Sequence, residues 1–175
     1  KTLLLAIPFF ILAGNIMAKA GISKRLIKFI DSCVGHRRGG IAIVCVIVAC
    51  FFGAISGSGP ATVAALGAIL IPAMVEAGFS APFAMALMAA ASSIAIVIPP
   101  SIAYVVYASI TGENVGDLFI AGIVPGILMG LALIVVVMIE VRKKGIQSSR
   151  EKAGWKERWV TFKDAFWGFL MPVII

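Results

Sequence analysis

Charge is scarce in this sequence, and where it is missing matters more than how much is missing. Only 13% of the 175 residues are Asp, Glu, Lys or Arg, and residues 41–75, 83–110 and 118–139 contain none of these and no His. With 61% hydrophobic residues and a mean hydropathy of +1.09, the chain lacks the polar surface that a soluble domain needs. Lipid is the solvent for most of it. The single His, His36, sits in a basic loop and reads as solvated. A membrane enzyme would need a nucleophile or general base that the charge-free stretches do not offer, so an enzyme is not expected. Proton coupling usually runs through intramembrane Asp, Glu or His, and these stretches have none. Cysteine is equally uninformative as chemistry. Cys33, Cys45 and Cys50 are odd in number, and Cys45 and Cys50, at a spacing that matches no metal or redox motif, read as small buried hydrophobes.

The charge that is present is mostly positive, +7 net, and it is grouped. Lys24, Arg25 and Lys28 form one group, Arg37 and Arg38 a second, and Arg142, Lys143 and Lys144 a third. Grouping between apolar runs marks cytoplasmic membrane loops rather than a nucleic-acid surface. Residues 2–20 form a first run long enough to cross a bilayer, which takes ~20 residues. In the segment that follows, Leu26, Ile27, Ile30 and Val34 share one helical face, while Lys24, Arg25, Lys28 and Asp31 share another. That pattern predicts an amphipathic helix lying in the membrane interface. A second basic helix, carrying Trp155, Trp159, Phe162 and Phe166 at helical spacing, leads into an apolar run from Leu170. The chain starts at Lys1 and stops inside that run, so it reads as a piece of a longer protein.

Residues 41–75 are too long for one helix and have Ser56, Gly57, Ser58, Gly59 and Pro60 at their centre. As two full crossings each half reads as too short, and no polar loop separates them. A helical hairpin that enters the membrane, turns at residues 56–62 and leaves on the same side fits both facts. Residues 83–110 repeat the design differently: Pro99 and Pro100 remove two backbone N–H donors and break a membrane helix near mid-depth. The charges agree. A re-entrant hairpin keeps residues 24–38 and 76–82 in the cytoplasm, the Lys/Arg-free loop 111–117 outside, and Arg142, Lys143 and Lys144 inside.

Non-helical backbone at membrane depth is tolerated where it is buried in protein or lines a cavity. Two interrupted helices close in sequence are the mark of a secondary transporter site. Unwound carbonyls and nearby hydroxyls at Ser56, Gly57, Ser58, Ser93 and Pro99 suit Na⁺. The restarting helix N-termini, at Gly59, Pro60, Ala61 and Thr62 and at Pro100 and Ser101, point partial positive charge at a substrate carboxylate. If the two breaks face each other they form one site, and Gly57 and Gly59 are expected to supply backbone angles closed to other residues. The hydroxyls of Ser56, Ser58 and Thr62 also suit simple capping, and those of Ser92 and Ser93 suit bonding to the carbonyl four residues back. Gly57-Ser58-Gly59 is no phosphate loop, since no strand precedes it and no Lys-Ser/Thr follows. Gly122, Gly126 and Gly130 read as helix packing. A passive channel would need neither break.

The segments IPFFILAGNIMAKAGIS, FFGAISGSGPATVAALGAILIPAM, SSIAIVIPPSIAYVVYA and GDLFIAGIVPGILMG resemble, in this order, the large membrane subunit (DctM type) of tripartite ATP-independent periplasmic (TRAP) transporters. The resemblance covers residue 6 to about residue 142. It implies an all-α integral membrane protein of the bacterial inner membrane, the first half of an inverted-repeat, elevator-type transporter. It divides the chain into scaffold over 1–38, transport domain over 39–112, scaffold over 113–144, and an interfacial helix with the start of the next span over 145–175. It further implies Na⁺ as coupling ion without an organic cofactor, and an organic-acid substrate such as a C4-dicarboxylate or sugar acid. The implied partners are a small membrane subunit and a periplasmic substrate-binding protein. The alternative is another sodium- or proton-coupled carboxylate transporter or antiporter with the same hairpin plan.

Overall fold

The computed structural model describes residues 20–146 and 154–174, together with Pro8, Leu12 and Ile16. The run expected over residues 2–20 therefore lies largely outside the described residues. Every regular element among those described is helical. The amphipathic segment forms α1 (Ile22–Val34), which buries Leu26 and Ile30 and leaves Lys24, Arg25 and Lys28 exposed. That is the division the sequence pattern predicts. His36 departs from expectation: it is half-buried, and its Nδ1 is shut off from solvent with no hydrogen-bond partner.

Residues 41–75 do not form one helix. α2 (Gly40–Ser56) and α3 (Gly59–Glu76) meet at a two-residue connection. Gly57 ends α2 in the left-handed region (φ 60°), donating its N–H to the Gly53 carbonyl at 2.7 Å, a glycine C-cap. Ser58 is extended (φ −138°, ψ 119°) and opens α3 as N-cap, with Pro60 as the second helical residue. One sequence expectation needs correction here. α3 alone, with 18 residues, is long and apolar enough to cross a membrane, so arm length does not exclude two full crossings.

The connection after α3 returns to where α2 began. A Cβ on Gly39 would overlap the Val141 side chain and lie 3.5 Å from the Phe79 ring. α4 (Ala81–Ser93) then runs back along α3 and α2 and tightens into a 3₁₀ turn (Ile94–Ile96). Pro99 and Pro100, joined by a cis peptide bond, interrupt it, and the chain restarts as α5 (Ile102–Thr111). α6 (Val115–Lys144) is capped by the Asn114 side chain, which accepts from Gly116 N at 2.9 Å. It buries one stripe, Gly122, Gly126, Gly130, Val137 and Val141, and exposes a face of Ile120, Val124, Ile127 and Leu131. Finally, α7 (Trp155–Ile174) lies along α1, with Phe29 and Phe162 5.4 Å apart between ring centroids.

The register of α2 on α6 fixes the depth of the α2–α3 tip. Gly39 meets Val141, and Cys50 Sγ sits 3.5 Å from where a Gly130 Cβ would be; eleven residues along α2 match eleven residues back along α6. The tip at Gly57 then falls about level with Ile123. That is roughly 8 Å short of the apolar end of α6 at Leu118, at 1.5 Å per residue.

Candidate functional site

The two interruptions are neighbours. A Cβ on Gly57 would lie 3.3 Å from the Pro100 carbonyl oxygen and 3.2 Å from the Ile102 nitrogen. One on Gly59 would lie 3.1 Å from the Ser92 carbonyl oxygen, and Gly53 packs against Ala95. The turn between α2 and α3 is thus seated in the break between α4 and α5, as the sequence expectation of one shared site requires.

Gly57 and Gly59 are needed for different reasons, which corrects the expectation that both supply unusual backbone angles. Only Gly57 has a positive φ. Gly59 is the first residue of α3, and what favours glycine there is the closeness of the Ser92 carbonyl, which a Cβ would push back by a few tenths of an ångström. The restarts also differ in register: α3 begins one residue before Pro60, whereas α5 begins two residues after Pro100.

The hydroxyls at the tip are engaged with the tip itself. Thr62, fully buried, donates to the Ser58 carbonyl at 2.9 Å and lies 3.2 Å from Ser56 Oγ. Ser58 Oγ accepts the Ala61 N–H at 3.5 Å, and Ser56 Oγ accepts the Ser58 N–H at 3.4 Å. In the break, the fully buried Ser101 donates to the Ile96 carbonyl at 2.6 Å. This replaces a donor that proline at position 100 cannot provide. Ser92 and Ser93 bond to carbonyls three residues back, Ala89 at 2.8 Å and Ala90 at 2.7 Å, rather than four. Ser93 is exposed, and none of its described contacts joins it to the tip. Pro60 is exposed and Ala61 half-buried, while Pro100 is buried.

Backbone groups, not side chains, are left over. Among the described residues no backbone N–H is donated to the carbonyls of Ala54, Ile55, Ser56 or Gly57, nor to those of Val97, Ile98, Pro99 or Pro100. The ends of α2 and of the 3₁₀ turn thus bring helix C-termini, with partial negative charge, beside the N-termini of α3 and α5, with partial positive charge. Among the described residues no group of three or more His, Cys, Asp or Glu stands together as a transition-metal site would need.

A further set of close neighbours of the break was only half legible in the sequence. α6 presses its glycine stripe on the break: a Gly122 Cβ would lie 2.5 Å from the Val97 carbonyl oxygen and 2.7 Å from the Tyr104 ring, and a Gly126 Cβ 2.5 Å from Ile98 Cγ1. The spacing of four signalled close packing; it did not say against what.

Apolar helices interrupted in mid-length, with their ends gathered at one point, are the pattern found in the class of membrane transporters. The sequence pattern described as "Tripartite ATP-independent periplasmic transporter, DctM component" matches residues 1–175, and the chain belongs to this family of TRAP transporter large permeases. It is 48% identical to the C4-dicarboxylate TRAP transporter large permease protein DctM of Pseudomonas aeruginosa, over 98% of this chain and 40% of the relative. It is 43% identical to the isethionate TRAP transporter permease protein DctMQ of Oleidesulfovibrio alaskensis, over 98% of this chain and 27% of the relative. It is 41% identical to the ectoine TRAP transporter large permease protein TeaC of Halomonas elongata, over 98% of this chain and 40% of the relative. The chain spans at most about 40% of the length of these relatives.

Proposed function

We propose that this chain is the first half of the large permease of a sodium-coupled importer of an organic acid, acting in the bacterial inner membrane. The observation that carries the reading is the seating of the α2–α3 tip in the α4–α5 break, which sets the Pro100 carbonyl beside Gly57 where two helices end in carbonyls that take no backbone N–H. Carbonyl oxygens are hard ligands suited to Na⁺, and residues 41–75, 83–110 and 118–139 carry no Asp, Glu or His of the kind that proton relays use. The N-termini of α3 and α5 supply the complementary charge for an anion. C4-dicarboxylates, isethionate and ectoine, named for the relatives, all carry a carboxylate or sulfonate, the group such N-termini hold best. The site's other half belongs to the remainder of the permease. Elevator-type movement, with 39–112 moving against a scaffold of 1–38 and 113–144, would need a tight but sliding contact, and the Gly122–Gly126 surface is its candidate.

The hairpin is read as re-entrant because its tip falls short of the apolar end of α6 while its two ends sit beside the basic end. Lys144 Nζ donating to Ser80 Oγ at 3.2 Å places the start of α4 at that same end. A small membrane subunit and a periplasmic substrate-binding protein complete the proposed assembly.

The test is uptake of labelled organic acids into proteoliposomes holding the whole permease and its small subunit, with the binding protein outside. Uptake is expected only with an inward sodium gradient. Pro100→Ala, which restores an N–H and lets α4 continue toward α5, is expected to abolish it. Uptake indifferent to sodium, or full activity of the Pro100→Ala protein, would overturn the reading.

A further inference from the structure

α1 and α7 pack antiparallel, with Ser32 Oγ 3.3 Å from Thr161 Oγ1 and the rings of Phe29 and Phe162 in contact. Along this seam lies an open cavity of about 260 Å³ walled by Phe29, Cys33, Trp155, Arg158, Trp159 and Phe162. Its wall is almost wholly apolar apart from one cation. Arg158 is held in place by donating from Nε to the Ser32 carbonyl at 3.2 Å, while its Nη2 is buried and has no hydrogen-bond partner. A buried guanidinium nitrogen without an acceptor is unfavourable, and the acceptor that suits it best is an anionic oxygen, above all a phosphate.

We propose that this groove binds an anionic phospholipid, with the phosphate accepting from Arg158 and the glycerol and upper acyl chain lying on the aromatic wall. Three features favour a lipid over other anions. Trp155 and Trp159 are 80% and 55% exposed, and indole rings partition to the headgroup level of a bilayer. Lys24, Arg25 and Lys28 on α1 and Lys156 and Lys163 on α7 outnumber the acidic residues of the two helices, which enriches anionic lipid nearby. The second cavity on the seam, about 220 Å³ between Arg25, Lys28, Thr161 and Asp164, already contains a carboxylate, so the uncompensated donor is Arg158. The inference rests on this family member lying in a bilayer; it is independent of sodium coupling, and its test reads lipid binding rather than uptake.

The experiment titrates the purified two-subunit transporter, in detergent, with brominated phosphatidylglycerol or brominated phosphatidylcholine and follows tryptophan quenching. The Trp159→Phe protein isolates the local signal. Half-maximal quenching is expected at a several-fold lower mole fraction of phosphatidylglycerol. Arg158→Gln should erase that preference and Arg158→Lys retain part of it. In the unmodified protein, maleimide labelling of Cys33, read by peptide mass, should slow with phosphatidylglycerol and not with phosphatidylcholine, which keeps the test decisive if Arg158→Gln fails to fold. Equal quenching by both lipids with unchanged Cys33 labelling overturns the proposal. So does displacement of the lipid signal by millimolar inorganic phosphate, which would make this a free-anion site. Loss of the small subunit from the Arg158→Gln protein with lipid preference intact would assign the groove to a protein segment instead.

Discussion

Gly57 is the residue on which the tip turns. Its φ of 60° lies in the left-handed region, where a Cβ costs about 1–2 kcal/mol. Any Cβ there also crowds the Pro100 carbonyl and the Ile102 nitrogen. Gly57→Ala is therefore expected to lower the thermal unfolding midpoint of the purified permease by several degrees and to raise the sodium concentration needed for half-maximal uptake. Ser58→Ala removes only a long cap bond of 3.5 Å, so its effect on stability belongs at the low end of the ~0.5–2 kcal/mol range for lost N-caps. A Ser58→Ala protein more impaired in uptake than Gly57→Ala would show that a hydroxyl, not the backbone, holds the ion.

At the scale of elements, the informative contact is α6 against the break. Without a strong hydrophobic drive between apolar helices in lipid, close van der Waals packing carries association, and small residues set how near the helices come. Gly122 lets α6 rest on the Val97 carbonyl, a backbone atom that cannot swing aside as a side chain can. Gly122→Ala should therefore push α6 off the break, lower thermal stability and reduce uptake. Gly126→Ala, whose close contact is with the Ile98 side chain and whose backbone contact, Ile98 Cα at 3.6 Å, is ordinary, should be milder on both measurements. Reversed severity would mean that the glycine stripe packs elsewhere in the working transporter.

For the whole molecule, the arrangement of ends makes a topological statement that labelling can check. The start of α2 and the end of α3 lie beside the basic end of α6, while Asn114 lies at its other end. Arg37, Glu76 and Asn114 are all exposed. Arg37→Cys and Glu76→Cys should react with a membrane-impermeant maleimide from one side only, the cytoplasmic one, and Asn114→Cys only from the opposite side. Labelling of Arg37→Cys and Glu76→Cys from different sides would break the hairpin reading.

Local chemistry wrote the interruptions into the sequence. Glycine and proline act on their own backbone and on the carbonyls a turn away, so the existence of both breaks was legible with no knowledge of neighbours. Their extent was not, since the first spans only Gly57 and Ser58 rather than the expected 56–62, and the second spans 97–101. The amphipathic α1 was equally legible, because burial of Leu26 and Ile30 follows from helical periodicity alone. What the tertiary structure decided lies between residues distant in sequence. It seated Gly57 against Pro100, made Gly59 a matter of space beside Ser92 rather than of backbone angle, aimed Gly122 at Val97, and enclosed His36 Nδ1. The tip hydroxyls show the same division at closest range: Ser56 and Thr62 were recognisable as polar groups in an apolar run, but only the turn of the chain set them 3.2 Å apart, bonded to each other's surroundings. Periodicity shows which face of a helix is buried; which partner covers that face is settled by packing across the whole chain.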